Sequence, residues 1–262
     1  MKKQKFKYWD INEILRYQRI FNFINGVRSI GKSYTTQKFF IKRALQKQEE
    51  FIYLVRTQDQ KKSGVFEKAF SKVLQNEYPC NTIKFTNDIC YLEIPEEDDQ
   101  ILGYCVALTE YVKLKVKSFP NVYWLMFDEY MLEKDSPSRY VNGWKEPELF
   151  LNIYHTIDRE ELRVKCFLLG NNTEFYNPYH LSKAFRIPPT EVGNIWKIEL
   201  VLFQWAIPSE SLTEDKSKNP FLKMIERTEY GSYASKGNYI GDNHNFIMKR
   251  TTTAKHQFYF SY

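Results

Sequence analysis

The chain has 262 residues and a formal net charge of +6, from 38 Lys+Arg against 32 Asp+Glu. Hydrophobic residues make up 43% and aromatic residues 17% of the sequence, which excludes a disordered or low-complexity chain. No apolar run reaches the length of a membrane span and no secretory signal follows the basic N-terminus, so we expect an intracellular protein. Four scattered cysteines and four histidines indicate neither a disulfide framework nor a zinc site.

Short apolar runs alternate with helix-like segments through roughly the first 200 residues. The runs are continuous rather than alternating, as expected for parallel strands that helices cover on both faces. The predicted strands span residues 21–24, 51–55, 122–127, 164–169 and 195–201. Helical spacing of apolar residues predicts helices from Lys32 to about Lys47 and from Glu146 to about Arg159. The alternation predicts an α/β fold with a doubly wound, mostly parallel sheet.

Residues 83–108 interrupt this alternation. Apolar runs at 90–94 and 101–108 flank a short acidic segment. They predict an antiparallel hairpin whose charged turn protects the exposed edge of the sheet.

A polar segment containing Pro and Ser after residue 207 predicts a domain boundary. The aromatic residues at the C-terminus resemble a strand with no partner after it, so we expect the chain to stop inside a second domain. The predicted organisation is a first domain at 1–207, a helical linker at 208–231 and the start of a small β-rich domain at 232–262.

The segment between the first predicted strand and helix satisfies the phosphate-loop pattern GxxxxGK[ST]. Glycines let successive N–H groups converge on phosphate oxygens, and the following helix adds its positive N-terminal end. We expect Lys32 to reach the β- and γ-phosphates of ATP and the Ser33 hydroxyl to ligate Mg²⁺. The predicted nucleotide-binding residues are Gly26, Val27, Arg28, Ser29, Ile30, Gly31, Lys32 and Ser33.

The strand at 122–127 ends in two adjacent carboxylates, Asp128 and Glu129, as in the Walker B pattern. Ligands bind at the carboxyl ends of parallel strands, so we expect both acids beside the phosphate loop. Asp128 is expected to face Mg²⁺, and Glu129 to polarise the water that attacks the γ-phosphate. Without the phosphate loop, the same pair would indicate a helix cap or a solvated turn.

An acid directly after the Walker B Asp is typical of mechanical ATPases, in which an additional strand lies between the two motif strands. The strand at 164–169 can supply it, and Asn171 beyond this strand is a candidate to hydrogen-bond the γ-phosphate or the water. An ordinary strand-to-loop turn explains Asn171 equally well. Arg159 is a candidate arginine finger for a neighbouring subunit, although a helix C-terminus favours a cation for structural reasons too.

Three lysines, Lys113, Lys115 and Lys117, alternate just before the Walker B strand. In an extended segment they would share one side and contact DNA phosphates or the adjacent subunit. A solvated strand face or loop explains the same spacing.

Short fragments outside the general P-loop motifs carry a family signal, at residues 19–23, 51–53, 119–122, 127–130, 133–135, 177–179, 228–231 and 240–242. With them the chain resembles the DNA encapsidation proteins of small tailed phages of the phi-twenty-nine type, which are genome-packaging ATPases. The resemblance covers nearly the whole sequence. Ser29 stands where a glycine would be expected, which leaves the phosphate-loop motif intact.

This resemblance implies a homomeric ring, of five subunits on the capsid, that sits on the capsid portal in the host cytoplasm. The ring would drive double-stranded DNA inward by hydrolysing ATP with Mg²⁺, and a scaffold RNA is a further candidate partner; no membrane is implied. Arg159 matches the family's finger position. Family members continue into a fuller C-terminal domain, of which we expect only the first strands here.

Two other function classes stay open beside the packaging motor. One is a small-molecule P-loop kinase, against which Glu129 and the lack of an evident Arg-rich lid argue. The other is a nucleotide-regulated assembly protein that binds ATP without appreciable turnover.

Overall fold

The computed structural model describes residues 8–133, 138–190, 192–225 and 228. The strands in these ranges are β1 (Phe21–Gly26), β2 (Glu50–Val55), β3 (Ile83–Thr86), β4 (Ile89–Leu92), β5 (Gln100–Ala107), β6 (Val122–Asp128), β7 (Lys165–Gly170), β8 (Ile195–Ile198) and β9 (Val201–Ala206). The α-helices are α1 (Ile11–Leu15), α2 (Lys32–Lys47), α3 (Gln58–Lys62), α4 (Val65–Glu77), α5 (Tyr111–Leu114), α6 (Glu146–Asp158), α7 (Glu210–Ser217) and α8 (Pro220–Ile225).

These strands form one sheet in the order β3-β4-β5-β2-β6-β7-β1-β9-β8. Neighbours from β5 to β9 pair in parallel, and antiparallel strands lie at both edges. β7 lies between β1 and β6, where Gly170 pairs with Asn25 and Leu169 with Asp128. The additional strand expected between the two motif strands is therefore confirmed, and all three strands end at one edge of the sheet.

Side chains of the central strands alternate between two buried clusters, one on each face of the sheet. In β6, Leu125 and Phe127 join the cluster that includes α6, whereas Trp124 and Met126 join the cluster that includes α2. Burial on both faces makes every residue of β1 and β2 inaccessible, which explains the continuous apolar runs. The predicted α/β fold with a mostly parallel, doubly wound sheet is confirmed.

The single strand predicted at residues 195–201 is wrong. The chain reverses at Glu199 and Leu200, and β8 pairs antiparallel with β9, with Ile198 opposite Val201. Glu199 has a positive φ of 44° in this turn, where Asn or Gly would have been the usual signal of a hairpin. The hairpin predicted within residues 83–108 is confirmed as β4 and β5, and β3 extends it by a strand that we did not predict.

The expectation that Lys113, Lys115 and Lys117 lie along an extended segment is also wrong. Lys113 lies in α5, and Lys115 follows as its C-cap with a helical backbone. Burial of Leu114 in the core favours this short helix, in which alternate residues point in different directions. All three lysines are exposed, on the connection from β5 to β6.

Two helices, α7 and α8, occupy most of the described part of the predicted linker. The Ser209 hydroxyl caps α7 by accepting a hydrogen bond from the N–H of Leu212, whose side chain is buried. The predicted β-rich fragment at 232–262 lies outside the described residues. Within the described ranges, no helix combines the length and the apolar character needed to cross a membrane.

α6 runs from the edge where the parallel strands end to the opposite edge, where they begin. Glu146 at its start pairs with Arg56, which follows the carboxyl end of β2. At its other end, the Asp158 carboxylate accepts hydrogen bonds from the N–H groups that lead into β7, those of Leu162, Arg163 and Val164. A helix of 13 residues spans about 20 Å. Arg159, its exposed C-cap residue, therefore lies at the amino-terminal edge of the sheet.

A buried hydrogen-bond network ties β1 to the segment after β6, across β7. The Tyr130 hydroxyl donates to Asn25 Oδ1 at 2.7 Å and lies 2.7 Å from His180 Nε2. Burial lowers the pKa of His180 to about 3, so the ring is neutral. Gly170 makes room for this network, since a Cβ there would lie 2.9 Å from the Tyr130 ring.

We expect Asp158→Ala to lower the free energy of unfolding by about 2–4 kcal/mol, because three backbone N–H groups lose a buried charged acceptor. Urea denaturation followed by far-UV circular dichroism measures the change. Glu160→Ala removes an exposed carboxylate two residues further on and should cost less than about 0.5 kcal/mol. Equal effects of the two substitutions would show that water replaces the Asp158 carboxylate.

Tyr130→Phe should lower the free energy of unfolding by about 1–3 kcal/mol, since Asn25 and His180 lose their shared partner in a buried site. The matched control is Tyr123→Phe in β6, whose side chain is 38% exposed and which should leave stability unchanged. Thermal and urea unfolding of both variants make the comparison. A Tyr130→Phe variant as stable as the control would contradict a structural role for the hydroxyl.

Candidate active site

Residues 26–33 connect β1 to α2 at the carboxyl edge of the sheet. Gly31 has a φ of 92° and Ser29 a φ of 65°, both in the left-handed region that lets the loop curl. Ser29 thus takes a conformation that favours glycine, the residue that the family resemblance led us to expect at this position. No side chain caps α2, so its first N–H groups are left for an anionic ligand.

Lys32 is buried at the base of this loop. Its Nζ donates to the carbonyl oxygens of Gly26 at 2.9 Å and Val27 at 3.1 Å. Burial lowers the pKa of Lys32 to about 7; Asp128 opposes this shift, while Lys216 and Arg28 add to it. Two cations and one carboxylate thus act on this ammonium group. A bound polyphosphate would add negative charge and so favour its protonated form.

Asp128 ends β6 on the α2 side of the sheet, where its carboxylate is hydrogen-bonded to the Ser33 side chain. Burial raises the pKa of Asp128 to about 6, although the hydrogen bond from Ser33 and the charge of Lys32 act against this shift. An adjacent hydroxyl and carboxylate suit Mg²⁺, which takes few protein ligands and completes its octahedron with phosphates and water. The described residues include no cluster of three or more His, Cys, Asp or Glu that could hold a metal alone.

Glu129 projects from the end of β6 with an exposed side chain and a φ of 58°. A left-handed backbone at a non-glycine residue is strained and persists only where the surroundings hold it. Arg56 supplies that support, because its guanidinium donates to the carbonyl oxygens of Glu129, at 2.8 Å, and of Tyr130. The position of the candidate catalytic acid therefore depends on an arginine that follows the neighbouring strand β2.

Arg56 belongs to a buried network that sequence reasoning missed. Its Nε lies 3.1 Å from both oxygens of Glu146, which also accepts a hydrogen bond from the Tyr179 hydroxyl at 3.0 Å. Burial raises the pKa of Glu146, and the Arg56 charge opposes this shift. The rings of Phe127 and Tyr140 lie 5.0 and 5.2 Å from the guanidinium carbon. The sequence did contain a signal for Arg56: it is a charged residue directly after a buried strand. Glu129 and Asn171 occupy equivalent positions after β6 and β7.

Two adjoining clefts open at this edge of the sheet. The first, of about 320 Å³, is lined by the loop from Arg28 to Ser33 and by residues that end β6 and β7. The second, of about 370 Å³, continues from it beside Arg56. Four residues line both clefts: Arg28, Asp128, Glu129 and Asn171. Arg28 also forms an ion pair with Glu133, which sequence reasoning had not assigned to the site.

The structure brings together the phosphate loop, Asp128, Glu129 and Asn171. It does not bring Arg159 to them, since the length of α6 separates this residue from the loop of its own chain. Lys113, Lys115 and Lys117 line neither cleft.

Comparison with known proteins gives close relatives and similar folds. The DNA packaging protein of Bacillus phage PZA is 31% identical over 257 residues, which cover 97% of this chain and 72% of the relative. That of Bacillus phage phi29 is also 31% identical over 257 residues, with the same coverage. The crystal structure of the N-terminal domain of the DNA packaging ATPase from bacteriophage phi29 matches with a TM-score of 0.64 and 30% identity, covering 77% of this chain and 96% of that domain.

A more distant match concerns the fold alone. The large terminase ATPase domain of Thermus phage P74-26 has a TM-score of 0.55 at 8% identity, over 88% of this chain and 93% of that domain. The model of the Podovirus DNA encapsidation protein (Gp16) family, in contrast, matches residues 2–262 of the sequence. With nearly its full length matched, the chain belongs to the Podovirus DNA encapsidation protein (Gp16) family.

Proposed function

We propose that this chain is an ATP-hydrolysing motor that moves double-stranded viral DNA into a preformed capsid. One observation carries the proposal: Lys32, Ser33, Asp128, Glu129 and Asn171 line a single cleft where β1, β6 and β7 end. The cleft combines an anion-binding loop, a pair of oxygen ligands for Mg²⁺ and a second acid. This is the set of groups that hydrolysis of a nucleoside triphosphate needs.

Each side chain has a distinct task in this proposal. Lys32 and the N–H groups of the loop hold the β- and γ-phosphates, and the bound ATP supplies the negative charge that the buried ammonium lacks. Ser33 and Asp128 would hold Mg²⁺, and the bound ion would supply positive charge next to the phosphate oxygens. Glu129 orients a water and accepts its proton, and Asn171 donates a hydrogen bond to the γ-phosphate or to that water.

The position of Arg159 supports a role between subunits. Arg159 is exposed at the C-terminal end of α6, whose 13 residues span about 20 Å from the Arg56 network beside the cleft to the opposite edge of the sheet. It can therefore act as an arginine finger only in the cleft of a neighbouring subunit. A closed homomeric ring, of five subunits on the capsid portal, provides one such neighbour for every site.

The remaining partners follow from the same proposal. The relatives are DNA packaging proteins, and the bacteriophage phi29 viral genome packaging motor assembly matches this fold with a TM-score of 0.68 at 30% identity. A ring around DNA contacts its phosphates without regard to sequence, a contact for which the exposed Lys113, Lys115 and Lys117 are suited. The site of action is the capsid portal in the host cytoplasm, with a scaffold RNA as a further candidate partner.

We expect Glu129→Gln to bind ATP with an affinity within about threefold of the wild type but to hydrolyse it at least about 100-fold more slowly, because an amide cannot accept the proton of water. Steady-state phosphate release and equilibrium binding of a fluorescent ATP measure the two effects. Glu148→Gln, at an exposed position of α6, is the control and should keep both properties.

The result also separates the function classes. Unchanged turnover in Glu129→Gln would remove this residue from its role. Wild-type protein that binds ATP but does not hydrolyse it, even with DNA and empty capsids present, would favour an assembly protein.

Mixing Arg159→Ala subunits with Lys32→Ala subunits tests the finger. Each variant alone should lose more than about 90% of its ATPase activity, since a finger contributes several orders of magnitude in rate. Mixed rings contain sites that have an intact loop and an intact neighbouring arginine, so activity should recover. The control mixes Lys32→Ala with Lys32→Met, which leaves no intact loop. No recovery in the first mixture under ring-forming conditions would contradict a role in trans.

A further inference from the structure

Lys216 approaches the phosphate loop from α7, a part of the chain that the Walker motifs do not include. Its Nζ donates to the backbone carbonyl oxygen of Arg28 at 2.6 Å. A second lysine therefore contacts the backbone of the candidate phosphate loop, although its side chain lines neither cleft.

Packing explains why α7 presents this residue to the loop. β9 pairs with β1 as far as Gly26 and Ala206, so the chain leaves the sheet next to the start of the loop. Four residues later α7 begins, and its Leu212 is buried in the cluster that includes Val27 of the loop. Lys216 lies one helical turn after Leu212 and thus on the same face. Burial of Leu212 therefore fixes the position of Lys216, in addition to the length of the lysine side chain.

The place of contact indicates which phosphate is involved. Of the eight residues of the loop, Arg28 is the one that lines both clefts, together with Asp128, Glu129 and Asn171. Glu129, the acid proposed to activate water, lines both clefts too, so we expect the γ-phosphate at this end of the loop. Among the described residues, the half-buried Lys216 ammonium has a neutral carbonyl oxygen as its hydrogen-bond partner. A charged phosphate oxygen is a stronger acceptor for an ammonium group.

We propose that Lys216 contacts the γ-phosphate of ATP bound in the same subunit and thereby makes α7 a sensor of the triphosphate. The inference rests on the proposed function. The contact forms when ATP occupies the cleft and is lost when the γ-phosphate leaves. α7 directly precedes α8 and the C-terminal part of the chain. The gain or loss of the Lys216 contact therefore connects the state of the nucleotide to the helical linker.

The test measures binding of Mg²⁺ with either a non-hydrolysable ATP analogue or ADP to the full chain by isothermal titration calorimetry. Lys216→Met should weaken binding of the analogue about tenfold and that of ADP less than about twofold, because ADP lacks the phosphate in question. Lys216→Arg keeps the charge and should restore most of the affinity for the analogue. Lys218→Met changes an exposed lysine two residues further along the chain and should bind both nucleotides as the wild type does.

The outcomes distinguish failure of the γ-phosphate contact from failure of the proposed function. If Lys216→Met binds the analogue like Lys218→Met, while Lys32→Ala does not bind it, the sensor is excluded and the proposed function stands. Equal losses for the analogue and ADP would also exclude it, because the ammonium group would then act away from the γ-phosphate. If the wild type binds neither nucleotide, the proposed function fails and the inference fails with it.

Discussion

The burial of one ammonium group, that of Lys32, is the constraint on which the functional part of this structure depends. A lysine held by two backbone carbonyls and excluded from water is costly to charge, and its lowered pKa expresses that cost. Asp128 compensates in part, while two further cations oppose it. A further negative charge beside Lys32 would therefore stabilise its protonated form. In the proposed function, a triphosphate bound with Mg²⁺ supplies this negative charge.

A rigid frame surrounds this charged centre. Two buried networks, that of Arg56 with Glu146 and that of Tyr130 with Asn25, hold the backbone around Glu129 from both sides. Buried polar groups tolerate little displacement, since a broken hydrogen bond in the interior leaves an unpaired group. The groups of the chain's own cleft are thus held in place before a ligand arrives, as electrostatic stabilisation of a transition state requires.

The groups that can respond to the ligand come from outside this frame. Arg159 lies at the opposite edge of the sheet and is available to a neighbouring subunit, whereas Lys216 belongs to a helix beyond the last strand of the sheet. The two are candidates for coupling in different directions, one around a ring and the other toward the C-terminal part of the same chain. α6 strengthens the first connection, because it begins at the Arg56 network and ends at Arg159.

The sequence by itself determined the fold class and the phosphate loop with its two acids, because continuous apolar runs and GxxxxGK[ST] are local patterns with a direct physical meaning. It located Asn171 as well, since parallel strands end at a common edge. Local patterns failed where long-range packing decides the outcome. The segment predicted to be extended forms α5, because Leu114 is buried in the core. The apolar run predicted as one strand forms β8 and β9, which are joined by a turn without glycine.

Only the tertiary structure paired Arg56 with Glu146 and placed Lys216 beside Arg28, contacts that span 90 and 188 residues of sequence. No periodicity or spacing encodes such a pair. It exists because the pairing of β1, β2 and β9 with their neighbours brings distant chain segments to one edge, where burial of their charges demands a partner.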